Sequence, residues 1–101
     1  MAKNKKIIVG NWKMNPQSVL EAKEIFRTLK KTAEKFSRVG VVICPPYPYL
    51  LELKKNAGKK VSLGSQDAFF ETEGSFTGFV SPVMVKNAGA DFVILGHSER
   101  R

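Results

Sequence analysis

Four short apolar runs stand among polar, lysine-rich stretches: Ile7-Ile8-Val9, Val41-Val42-Ile43-Cys44, Val61-Ser62-Leu63 and Phe92-Val93-Ile94-Leu95. The first, second and fourth are unbroken rather than alternating, the pattern of parallel strands covered on both faces. Strands are therefore expected near residues 6–10, 41–44, 61–65 and 92–96. Between the first two, Ala22, Ile25, Phe26, Leu29, Ala33 and Phe36 recur at helical spacing, with Lys23, Arg27, Lys30, Lys31, Glu34 and Lys35 largely on the opposite side. Ser18, with Glu21 three positions on, has the form of a capping box. A second, shorter helix is expected around Pro48, a first-turn residue, holding Leu50, Leu51 and Leu53 with Gly58 as the stop beyond. Ser81-Pro82 opens a third through Val83, Met84, Val85 and Lys86, which Gly89 closes.

The order β-α-β-α-β-α-β predicts an α/β fold in which right-handed crossovers build a parallel sheet. Residues 1–101 make one domain, with no short repeat, low-complexity segment or linker. The strand-to-helix segments are longer and richer in reactive residue types than the helix-to-strand ones. In α/β folds the loops at the strand C-termini carry the sites.

A hydrophobic fraction of 43% with 10% aromatic residues excludes general disorder. Seventeen basic against nine acidic residues give a net charge of +8, which attracts anions. The lysines are scattered rather than gathered into a basic stripe, so no nucleic-acid partner is expected. Cys44 is alone, which rules out an internal disulfide and fits a reducing compartment. One cysteine and one histidine cannot build a structural zinc site by themselves, and no metal is expected. The opening MAKNKK is basic like a signal sequence, but the apolar run after it is far too short. No stretch approaches membrane-spanning length. A cytoplasmic chain without a membrane partner is the expectation.

Three loops carry candidate chemistry. In GNWKMNP, Lys13 follows the first strand closely and can set a fixed positive charge beside a phosphate or enolate; the plainer alternative is an ordinary exposed lysine next to a core tryptophan. In GHSERR, the chain's one histidine, His97, leaves the fourth strand, and Ser98 and Glu99 can begin a helical turn beneath it. A helix N-terminus disfavours a second proton on imidazole, and a neutral ring can still donate a hydrogen bond to a substrate carbonyl. A lone histidine is more often a structural residue. The third loop, SQDAFFETEGSFTGFVSP, is long and aromatic: Phe69, Phe70, Phe76 and Phe79 are either inserted into a partner subunit or folded over their own end of the barrel. Pro45-Pro46 stiffens a turn. No G-x-G-x-x-G or Walker-type G-x-x-x-x-G-K is present, so a nucleotide fingerprint is absent.

Together GNWKMN, CPPYPYL, LGSQDAFFETEGSFTG and GADFVILGHSERR closely resemble the consecutive loops of the triosephosphate isomerase family, in order and over nearly the whole chain from Ile7 to Arg101. The resemblance implies the N-terminal half of a (β/α)8 barrel and a cytoplasmic, homodimeric isomerase of glycolysis and gluconeogenesis. That family interconverts dihydroxyacetone phosphate and glyceraldehyde 3-phosphate through an enediol(ate), without metal or cofactor. By resemblance, Asn11 and Lys13 contact the substrate, His97 polarises its carbonyl, and Ser98 and Glu99 support the site. Thr77, Gly78 and Phe79 match the tip of the dimer loop, where the family usually carries glutamate in place of Phe79; the acidic group that an arginine such as Arg100 would meet there is thus missing. An eight-stranded barrel takes about 250 residues. The glutamate base, closing lid and glycine-rich phosphate site of the family fall beyond Arg101, so the chain is expected to be inactive alone. Its expected partners are triose phosphate and either a second copy or a complementary C-terminal half. The rival expectation is a half-barrel that folds and assembles without catalysis.

Overall fold

A computed structural model describes residues 6–101, so all of MAKNKK but Lys6 lies outside the described residues. The strands are β1 (Lys6–Asn11), β2 (Val39–Cys44), β3 (Val61–Ser65) and β4 (Phe92–Val93); the helices are α1 (Val19–Ala33), α2 (Tyr47–Lys54) and α3 (Pro82–Asn87). A single 3-10 turn, Ser98–Arg100, follows β4. All neighbouring strands are parallel and the spatial order is β1-β2-β3-β4, so each strand lies beside the next one in sequence. This is the parallel α/β half-barrel anticipated from the alternation of elements.

Capping chemistry sets the helix starts. Ser18 and Ser81 hold extended backbone and accept from the N–H groups of Glu21 and Met84, satisfying donors that the first helical turn leaves free. At the far end of α1, Lys30 donates to the carbonyl of Asn56 just past α2 and lies over the Phe26 ring at 5.5 Å. The cation thus meets the negative end of the neighbouring helix. The core sits between helices and sheet: Ala22 and Phe26 of α1 and Leu50 and Leu53 of α2 pack on Ile43, Val61 and Leu63. Each fully buried side chain of this size is worth about 1.5–3 kcal/mol, so the middle of the sheet carries most of the stability.

The edges behave differently. Ile7, Ile8 and Val9 of β1 are 54%, 58% and 53% exposed, although their unbroken apolar run reads as a buried strand. No described element pairs the outer edge of β1, and burial requires neighbours on both sides. For the same reason β4 is assigned only over Phe92–Val93, shorter than the apolar run through Leu95; one more bond, from Ile94 N–H to the Ser65 carbonyl, prolongs the ladder. Phe36, expected on the apolar face of the first helix, lies past its end at Ala33 and is largely exposed. Leu51 is within α2 but faces outward. Among the described residues no helix is long and apolar enough to cross a membrane.

Candidate active site

The C-terminal ends of β1, β3 and β4 bring the predicted polar residues together. Lys13 has φ 56°, a left-handed backbone that costs a non-glycine residue roughly 1–2 kcal/mol. Two side chains hold it there. Asn11 Oδ1 accepts the Lys13 N–H at 2.9 Å, and Gln66 Nε2 donates to the Lys13 carbonyl at 2.7 Å and to the Cys44 carbonyl at 2.9 Å. The lysine then reaches across to β4's loop, where Nζ meets Glu99 Oε2 at 3.2 Å.

His97 stands at the N-terminus of the 3-10 turn, and its Nδ1 accepts the Glu99 N–H at 3.1 Å. That bond requires Nδ1 to be without a proton, so the neutral ring carries its proton on Nε2. Glu99 Oε1 is 3.5 Å from the same Nδ1. This is too far for a good hydrogen bond and, with Nδ1 already accepting, is not an ion pair. Glu99 therefore serves Lys13 with its carboxylate and His97 with its backbone. Ser98 is exposed on the turn. Asn11, Lys13, His97 and Glu99 thus form one cluster, open to solvent on the side where the sheet ends.

Thr77, Gly78 and Phe79 are not in that cluster. They line a separate hollow of about 260 Å³ with Tyr47, Asp67 and Arg100. Phe69 gathers the loop's aromatics, its ring centroid lying 4.4–4.6 Å from those of Phe70, Phe76 and Phe79. The loop is folded on itself, yet Phe70 remains 81% exposed.

Two polar residues that the motifs did not single out, Gln66 and Asp67, prove central. Asp67 takes Arg100 Nη2 at 2.7 Å and, through its carbonyl, the Tyr47 hydroxyl. Arg100 thus has an acidic partner within its own chain, which the missing loop glutamate did not suggest. Gln66 clamps Lys13 as described. Their position directly after β3 was the available signal, for it matches that of His97 after β4. Burial raises the Cys44 thiol above its ordinary pKa, which keeps it protonated behind this layer. No group of three or more His, Cys, Asp or Glu residues able to hold a metal ion occurs among the described residues.

A family model described as triosephosphate isomerase matches residues 6–101. Curated triosephosphate isomerases are also similar. That of Coprinopsis cinerea is 47% identical over 91% of this chain and 36% of its own length. Those of Carboxydothermus hydrogenoformans and Endomicrobium trichonymphae are 47% and 40% identical, each over 96% of this chain and 39% of the relative. The chain therefore spans somewhat more than a third of the length of the relatives it matches.

Proposed function

Because the chain belongs to the triosephosphate isomerase family, we propose that it supplies one side of a site that interconverts dihydroxyacetone phosphate and glyceraldehyde 3-phosphate. The observation that carries this proposal is the pairing around Glu99: its N–H fixes Nδ1 of His97 as an acceptor while its carboxylate holds Lys13. A substrate carbonyl entering the cluster would meet a donor, Nε2–H of neutral His97, as negative charge grows on its oxygen. Lys13 and Asn11 would lie beside the phosphate and the remaining oxygens, with Lys13 lending a fixed charge.

Proton transfer between adjacent carbons also needs a base within hydrogen-bond reach of the substrate C–H. Glu99, the carboxylate of the cluster, is engaged by Lys13. The base, and the loops that would enclose the phosphate, are proposed to come from the remainder of the barrel, so that this chain alone does not turn over. A cytoplasmic setting agrees with a single, buried and protonated cysteine.

The test is to mix the chain with the complementary C-terminal segment of a relative, both purified from a host lacking its own isomerase, and to follow isomerisation in a coupled assay. Activity that requires both pieces and collapses on His97→Gln supports the proposal; full activity from this chain alone overturns the division of labour. A second possibility, a half-barrel that associates without catalysis, is favoured by the exposed apolar edges of β1 and β4. It predicts that the same mixture assembles but stays silent.

A further inference from the structure

We infer that the consecutive residues Gln66 and Asp67 form a two-headed brace that sets the spacing between Lys13 and the His97–Glu99 turn, making both of them positioning residues for the proposed isomerisation. The two side chains leave the end of β3 toward different loops. Gln66 spends both hydrogens of its amide on carbonyls, that of Lys13 in the loop after β1 and that of Cys44 at the end of β2. Asp67 holds Arg100, three residues past His97, and its own backbone is tied by the Tyr47 hydroxyl at the start of α2. The visible bridge between the two halves of the cluster, Lys13 to Glu99, is more than half exposed on both sides. Such a pair contributes too little to determine where its partners stand. The brace is anchored on its β3 side, where the Asp67 side chain is only 25% exposed against 58% for its Arg100 partner, and where Gln66 donates to the part-buried carbonyl of Cys44. Lys13 also occupies a backbone conformation that persists only when its surroundings over-determine it. Asn11 and Gln66 are the two side chains that grip that backbone, one at its N–H and one at its carbonyl.

The inference rests on the proposed isomerase role, and its test has one arm that does not. In the isotope-labelled chain, Gln66→Met keeps the length of the side chain and removes the donors, while Asp67→Asn keeps the shape and removes the charge. A left-handed Lys13 gives a strong cross-peak between its own N–H and Hα protons, and we expect Gln66→Met to weaken it. Acylation of the Lys13 amine, read by peptide mapping, should become several-fold faster in both variants, with Lys86, paired to Asp91 at the far side of the fold, as the unchanged control. A folded Gln66→Met chain whose Lys13 signals do not move overturns the brace; should that variant not fold, unchanged acylation of Lys13 in Asp67→Asn does so. In an assembly that turns over triose phosphate, each substitution should lower kcat/KM by about tenfold, as coupled neighbours do. The Gln66→Met effect should vanish in a Lys13→Met background, because the amide acts through the lysine. Fully additive losses would overturn that route. A silent assembly would instead count against the isomerase role and leave the spectroscopic arm to decide the brace.

Discussion

Single positions separate by whether their polar atoms have partners. Ser65 is completely buried at the end of β3, and its hydroxyl finds no partner among the described residues. Ser65→Ala should therefore be neutral or stabilise the chain by up to about 1 kcal/mol in urea unfolding, since a buried unpaired hydroxyl has a desolvation cost that alanine lacks. One residue earlier the opposite holds. A Cβ on Gly64 would stand 2.7 Å from Cys44 Sγ and 3.2 Å from the Phe92 carbonyl, so Gly64→Ala forces β2 and β4 apart. A loss of about 1–3 kcal/mol is expected from such overpacking. The Cys44 thiol should resist alkylation at neutral pH until the chain unfolds, because burial keeps it both protonated and covered. Labelling of the native chain as fast as of the denatured one would contradict this. At this scale the motifs marked Asn11, Lys13, His97 and Glu99, whose positions at or past the C-terminal ends of apolar runs are visible in sequence. They did not mark Gln66, Asp67 or Arg100 as partners, because hydrogen bonds across 53, 22 or 33 positions leave no local pattern.

Among the elements, the helices were the more legible, because their signals are local. Ser18 and Ser81 cap the helices that they were expected to cap, and Gly89 closes α3 with φ 113°. The two caps differ in setting. Ser81 is buried, so Ser81→Ala leaves the Met84 N–H unsatisfied where water is scarce and should cost about 1–2 kcal/mol, more than Ser18→Ala at the exposed start of α1. Thermal or urea melts of the two variants decide the order. Strand ends were less legible, since an apolar run shows the capacity to pair and not the presence of a neighbour; hence the shortened β4 and the uncovered β1. The link from α3 into β4 is an ion pair, Lys86 to Asp91 at 2.8 Å. The hydrogen bond and then the charge of Lys86 hold Asp91 below the usual carboxylate range. A depressed carboxyl contributes stability above its unfolded pKa and loses it as pH falls through the folded one, so Asp91→Asn should flatten only the acid end of the stability profile. At its half-exposed site the change should stay within about 1 kcal/mol.

For the molecule as a whole, area is the informative quantity. The chain exposes 7287 Å², whereas a self-contained monomer of its mass exposes about 5,700 Å². The surplus is roughly 1,600 Å², twice what one partner buries in an ordinary specific interface. It includes apolar side chains at both sheet edges, with Ile7, Ile8 and Val9 on one and Phe92 and Val93 on the other. Sedimentation of the purified chain should therefore show mass rising with concentration, together with binding of a hydrophobic dye. A dilute, dye-silent monomer would argue that the edges are better protected than their exposure indicates. The strand order has a further consequence, for the history of the chain rather than its final form. Because every strand lies beside its sequence neighbour, each pairing closes a span of 20 to 33 positions rather than most of the chain, as in Val41 to Val61 and Lys6 to Val39, and the entropy cost of closure grows only slowly with that length. On the ribosome each strand–helix unit can dock on the one before it as it emerges, so the sheet can take shape from its N-terminus forward, with β4 the last of the four strands to join.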